Sequence, residues 1–229
     1  MNVRLISFSQ PSRRFRLEEG LDEDTDNLQE LVAYCARVSN PKNQNNKETS
    51  DKLINYLVRN KHWSPLEMVS ACLEIETTRD IARQILRHRS FSYQEFSQRY
   101  ADPFEMFKGS FVTREARIQD PINRQNSIDT EDDELKKQWT IEQDKVILAC
   151  SKAYKWAIEN NIAKEQARSV MPEGLTKSRM YMNGTLRSWV HYIELRSSNG
   201  TQKEHMEIAK ECARVVAPIF PLITNYITD

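Results

Sequence analysis

Five glycines, Gly20, Gly109, Gly174, Gly184 and Gly200, are spread through 229 residues, and that scatter constrains the fold more than any other feature of the chain. They stand too far apart to write G-x-G-x-x-G or a Walker loop, so the chain has no glycine cradle for a phosphate. Any nucleotide it binds must be held by side chains and helix ends.

The length suits one substantial core and demands no second, so a single domain over 1–229 is expected. Thirty-three Lys and Arg balance 33 Asp and Glu. The whole-protein field then offers no general attraction for nucleic acid or an anionic membrane, and any anion site must be local. Apolar runs fall far short of the ~20 residues that span a bilayer. The start MNVRLISFSQPSRRFR lacks a signal-peptide core, and a soluble, cytoplasmic protein is expected. Cys35, Cys72, Cys150 and Cys212 show no C-x-x-C and no nearby His at ligand spacing. That predicts four buried thiols and no metal site, and leaves open a thiol nucleophile paired with a distant His.

VRLISFS (3–9) has strand character, and the polar run 18–27 reads as a loop before a helix over 28–37. A second helix spans 47–62 and is stopped by the residue before Pro65; 68–77 alternates as a strand. A helix over 77–90 follows, capped by Thr77 or Thr78, with Arg79, Arg83 and Arg87 along one side. The stretch 101–137 reads as a loop or lid: it has no sustained period to 127, then an acidic run leads into the longest helical pattern, 138–161. A short helix over 163–170 breaks before Pro172, SRMYM (178–182) reads as a strand, and 185–198 and 203–220 as helices parted by NGT. The fold class is α+β, a helix-rich domain with a small, mostly antiparallel sheet.

One stretch stands out. RHRSFSYQEFSQRY (87–100) packs Arg87, His88, Arg89 and Arg99 around a single acid, Glu95, and threads Phe91, Tyr93, Phe96 and Tyr100 between them. Taken residue by residue, it is a helix end with solvated arginines and core aromatics. Read whole, two Arg forks, a His and the Ser97 hydroxyl converging with aromatic faces suit a phosphate joined to a flat heterocycle. The chemistry recurs twice. Arg168 sits beside a helix break, and LRSWVHYIELRSS carries Arg187, His191 and Arg196, all expected on one helical face.

The pattern R-H-R, seven residues and a serine, met by Arg87, His88, Arg89 and Ser97 and continued by Arg99 and Tyr100, resembles the signature of the flavin-dependent thymidylate synthases. The resemblance extends through KHWSPLE before it and GTLRSWVHYIELRSSNGTQKEH after it. It implies synthesis of dTMP from dUMP, with methylenetetrahydrofolate as one-carbon donor and NADPH as reductant through FAD, in a homotetramer whose subunits share active sites. It also implies that Gln84, Arg87, Glu95, Ser97, Gln98, Arg99, Arg168 and Arg196 bind dUMP, with Arg196 activating the base. His62, Ser64, Arg87, His88, Arg89, Ser90, Thr185, Arg187 and His191 fall where FAD is bound. Gln94, Gln98, Thr185 and His191 depart from residues common at those positions in the family. Ser97 has no neighbouring base in sequence to activate it and reads as a ligand group, not a nucleophile.

Two other functions fit parts of the pattern: an NADPH-dependent flavin oxidoreductase that uses no folate, and a single-stranded nucleic-acid module with an Arg and aromatic strip. Balanced charge weighs against the second, and flavin absorbance separates it from either enzyme.

Overall fold

The computed structural model describes residues 2–19, 27–107 and 109–228. Its strands are β1 (Asn2–Phe8), β2 (Ser70–Thr78), β3 (Ser92–Glu95), β4 (Arg117–Gln119), β5 (Ser127–Asp129) and β6 (Lys177–Thr185). Four of them form one sheet in the order β1-β2-β6-β3, antiparallel throughout, and β4 pairs with β5 in a separate hairpin. The α-helices are α1 (Arg13–Glu19), α2 (Leu28–Ala36), α3 (Ser50–Arg59), α4 (Arg79–Ile85), α5 (Pro103–Met106), α6 (Asp133–Glu159), α7 (Lys164–Ala167), α8 (Leu186–Arg196) and α9 (Lys203–Val216).

The period-2 alternation of β2 decides which face of the sheet carries the core. Ala71, Leu73 and Ile75 point inward and are fully buried, and the β6 residues opposite Leu73 and Ile75, Met182 and Met180, are buried with them. Each of the larger ones, Leu73, Ile75, Met180 and Met182, contributes ~1.5–3 kcal/mol by leaving water. Trp189, Val190, Tyr192 and Ile193 of α8 join the same core, with Ile208, Ala209, Cys212, Ala213 and Val216 from the stripe of α9. Away from that core Arg4 pairs with Glu74 at 2.7 Å, and Arg179 pairs with Glu76.

Several boundaries differ from the sequence reading, each for a local reason. Residues 13–19 fold as α1, where no helix was expected; the part of the 18–27 loop over 20–26 lies outside the described residues. The helix expected over 77–90 ends at Ile85. Thr78 occupies its cap position, yet the hydroxyl turns to Asp80 at 2.5 Å instead of a helix N–H. The tail of α9 stops at Val216, and a 3₁₀ turn, Pro221–Tyr226, follows. Within 101–137 the chain forms α5 and the β4–β5 hairpin, then α6 starts at Asp133 with the Asp132 carboxylate accepting from the Leu135 N–H at 2.9 Å. Of the four thiols, Cys150 and Cys212 are buried, but Cys35 and Cys72 are only half-buried: Cys35 sits at the margin of the inner face of α2, and Cys72, between inward-pointing Ala71 and Leu73, is on the opposite face of β2. Among the described residues no helix is long and apolar enough to cross a membrane, and no group of side chains has the makings of a metal site.

Candidate functional site

The stretch 87–100 folds as a turn, an edge strand and a second turn. The Tyr93 hydroxyl braces the turn that ends α4, lying 2.9 Å from the Ile85 oxygen and 2.8 Å from that of His88, carbonyls that also accept from the His88 and Phe91 N–H groups at 3.0 and 3.3 Å. Phe91 goes inward, edge-on to Trp189 with ring centroids 4.8 Å apart. With the aromatics anchored, Arg87, Arg89 and Ser90 are turned outward and exposed. Among the described residues the side chain of neither Arg87 nor Arg89 has an ion-pair or hydrogen-bond partner.

Arg196 ends α8, where the helix dipole favours a cation. Its Nε donates to Nε2 of His88 at 2.8 Å, so that nitrogen carries no proton and His88 is neutral with Nδ1 protonated. Burial, then the charges of Arg196 and Arg87, push the His88 pKa down to about 4, consistent with that assignment. Behind it lies Tyr192, edge-on at 4.9 Å, and then His205, whose Nε2 is 3.2 Å from the Tyr192 hydroxyl and whose Nδ1 is 3.2 Å from Oε1 of Gln84. Gln84 in turn donates from Nε2 to Gln202 at 2.7 Å. His205 is fully buried, and burial, then Arg196 and His88, lower its pKa to about 3. Gln84, His88 and Arg196 are thus brought together. Tyr192, Gln202 and His205 were missed by the sequence reading. The legible signal was a titratable residue, His205, on the apolar stripe of α9.

The expectation that Arg187, His191 and Arg196 share one face is corrected. Nine residues at about 100° each is two and a half turns, so Arg196 lies opposite Arg187. Arg187 instead pairs with Glu67 at 2.6 Å, and His191, one turn on, packs on Trp63 with centroids 4.2 Å apart. Burial, then Arg187, lowers the His191 pKa. Around this half of α8 stand the other residues expected at FAD. Ser64 opens the 3₁₀ turn Ser64–Glu67, and the His62 ring lies 6.0 Å from Tyr56. Thr185 caps α8 through Ser188, whose hydroxyl donates to the Ser90 carbonyl at 3.1 Å. The residue set fits a flavin dinucleotide: Arg87 and Arg89 are unpaired, and Arg187 is tied only by a half-exposed pair, of the kind worth about 0–1 kcal/mol and readily exchanged for a diphosphate.

A third group gathers about Glu165. Arg99 Nε lies 3.7 Å from its carboxylate, and Arg168 Nε donates to its backbone carbonyl at 3.3 Å. The Ser97 hydroxyl accepts from the Arg99 N–H at 3.4 Å and has no His or carboxylate bonded to it among the described residues. Gln98 is buried, yet its Nε2 has no partner, a donor that a ligand's carbonyl or phosphate would satisfy. Glu95 is held by the Ser178 hydroxyl at 2.8 Å and by buried Arg79 at 4.0 Å, while Arg79 donates to Glu173 at 3.0 Å. No hydrogen bond or ion pair among the described residues joins this group to the Arg196 group.

The model of the family described as thymidylate synthase complementing protein matches residues 20–222. A protein of Paramecium bursaria Chlorella virus 1 named probable flavin-dependent thymidylate synthase is 45% identical over 98% of each chain. The flavin-dependent thymidylate synthase of Synechocystis sp. is 44% identical over 97% of each. The chain belongs to the flavin-dependent thymidylate synthases. It is accordingly an enzyme of that family. Among solved structures, the UMP/dUMP methylase PolB of Streptomyces cacaoi, crystallised with 5-Br dUMP, superposes with a TM-score of 0.78 at 23% identity, over 98% of this chain and 93% of that one. At that identity the likeness is one of fold.

Proposed function

We propose that the chain makes dTMP in the cytoplasm by reductive methylation of dUMP, with methylenetetrahydrofolate as one-carbon donor and NADPH as reductant through FAD, releasing tetrahydrofolate. The observation that carries the reading is the Arg196–His88 contact. It ties up Nε of the guanidinium and leaves the two Nη groups aimed by a rigid support. Such a fork suits the N3 and carbonyl edge of uracil, where negative charge develops as C5 becomes nucleophilic.

The other residues divide by chemistry. Arg99, Arg168 and Ser97 take the dUMP phosphate, Arg87, Glu95 and Gln98 the adjoining polar atoms, and Gln84 the base. His62, Ser64, Arg87, His88, Arg89, Ser90, Thr185, Arg187 and His191 hold FAD, which when bound supplies hydride. The turn between β4 and β5, residues 120–125, is the part of 101–137 that acts as a lid, because the chain around it is fastened by the Val112 N–H to the Leu175 carbonyl at 2.8 Å, by Arg114 to Asp80 at 2.9 Å and by Arg117 to Glu204. The enzyme is a homotetramer. One chain of this size lines sites for three substrates and a flavin more readily by pooling subunits. α6 also leaves Trp139, Val146, Leu148 and Trp156 exposed, as a helix covered by a neighbouring subunit would.

The test is anaerobic incubation of the flavin-loaded protein with dUMP, methylenetetrahydrofolate and NADPH, following dTMP by chromatography. Formation of dTMP that requires all three supports the reading. Reduction of the bound flavin by NADPH with no dTMP formed, and turnover of NADPH only when oxygen is admitted, overturns it in favour of a folate-independent flavin oxidoreductase.

A further inference from the structure

A buried carboxylate outside the groups just described fixes the direction of a hydrogen-bond chain that ends at Gln84. Glu204, in the first turn of α9, is 6% exposed and is held by Arg114 at 3.1 Å and by Arg117. Burial pushes its pKa up, but its own backbone N–H, Arg114, Gln202 and Arg117 outweigh burial and leave it lowered, so it is ionised and accepts only. Gln202 meets it at 2.9 Å and must therefore present Nε2. The Oε1 of Gln202 then faces Gln84, which must offer its own Nε2 at 2.7 Å and turn Oε1 to His205. His205 is forced to carry its proton on Nδ1, and its Nε2 accepts from the Tyr192 hydroxyl. Reversing the Gln202 amide sets its oxygen against the carboxylate, and reversing that of Gln84 sets the two amide oxygens face to face.

We infer that Glu204, acting through Gln202, is a positioning residue that locks the amide orientation of Gln84 and the tautomer of His205, so that Gln84 meets its ligand with one amide N–H and one carbonyl lone pair in fixed places. This rests on the reading of Gln84 as a dUMP ligand. Packing alone does not need the chain of amides, since Glu204 is already satisfied by two arginines, and an apolar side chain at 202 would leave that anchor intact.

Two measurements on the flavin-loaded enzyme test it. Nitrogen-15 spectra of labelled histidine, with only four His to assign, should show His205 as the neutral Nδ1–H tautomer. Glu204→Gln disturbs Arg114 and Arg117 and risks the fold, so the informative variant is Gln202→Met, which cuts the chain and spares that anchor. It should raise the dissociation constant and KM for dUMP about tenfold, the effect of one misplaced hydrogen bond, leave kcat within about twofold, and mix the His205 tautomers. A wild-type His205 protonated on Nε2 overturns the inference. So does a Gln202→Met enzyme that binds dUMP as tightly as a wild type that binds it well. A wild type with no affinity for dUMP overturns the functional reading, and this inference with it.

Discussion

The Nε proton of Arg196 is directed at Nε2 of His88 over 2.8 Å, so this histidine serves the site only while it is unprotonated. Its pKa in the folded chain lies near 4, against 6.5 for the exposed side chain. The unfolded state takes up a proton first as pH falls, so stability is complete above 6.5 and is lost on the way down towards 4. Urea midpoints should fall across that interval. His88→Gln, which keeps an acceptor but cannot titrate, should make the curve shallower; among the histidines the remaining slope belongs to His205, whose pKa is lowered to about 3, and to His191, whose pKa is also lowered. Equal slopes in the two proteins would show that His88 is not held neutral.

Gly184 on β6 is needed for space. A Cβ there would lie 2.3 Å from Cδ1 of Phe91, and that ring is hemmed in by Trp189 and Tyr192. Gly184→Ala should cost about 1–3 kcal/mol, read as a lower urea midpoint at unchanged slope. Phe91→Leu should recover part of the loss in the double variant. An unchanged midpoint in Gly184→Ala would mean that the ring moves freely.

Arg89 is exposed and partnerless among the described residues, so removing it should leave stability within about 0.5 kcal/mol. Arg89→Ala should nevertheless weaken FAD binding about tenfold or more, the effect of losing a charge-assisted hydrogen bond to a phosphate. Flavin titration followed by fluorescence quenching checks this. Full affinity in the variant would remove Arg89 from the flavin site.

Much of this was legible because local chemistry and tertiary packing agreed. The alternation in β2 and the helical stripes of α3 and α9 each bury what their periods place inward. The end of α4 was not legible, since Leu86 to Ser90 read as good helix and the stop rests on a turn in which the His88 N–H and the Tyr93 hydroxyl, eight residues beyond Ile85, both reach the Ile85 carbonyl. Strand β3 was hidden for a related reason: it is four residues long and exists by pairing with β6, a partner far off in the chain. The site divides similarly. Arginines at fixed spacing announced an anion, but whether Arg196 faces Arg187 or His88 depends on counting turns, and there the sequence reading was wrong. Glu204 and Gln202 gave no signal, because each looks like an ordinary polar residue opening a helix.

The exposed apolar side chains of α6 predict the oligomer. Light scattering should report four times the 26.9 kDa chain mass. Leu148→Lys with Trp156→Lys, at positions 57% and 59% exposed in the single chain, should lower that mass without unfolding the subunit. A monomeric wild type with full activity would overturn the shared-site account.

The most direct measurement is dTMP production and NADPH consumption, followed side by side in wild type, Arg196→Ala and Arg196→Lys. If the guanidinium held by His88 stabilises charge on the uracil, Arg196→Ala should keep its fold and flavin and lose dTMP formation by about 10²–10³, as removal of one such donor does. Arg196→Lys should recover little, since an ammonium cannot span two edge atoms, and NADPH oxidation by oxygen should survive in both. Near wild-type dTMP formation by Arg196→Ala, or loss of flavin reduction in step with methylation, would contradict the account.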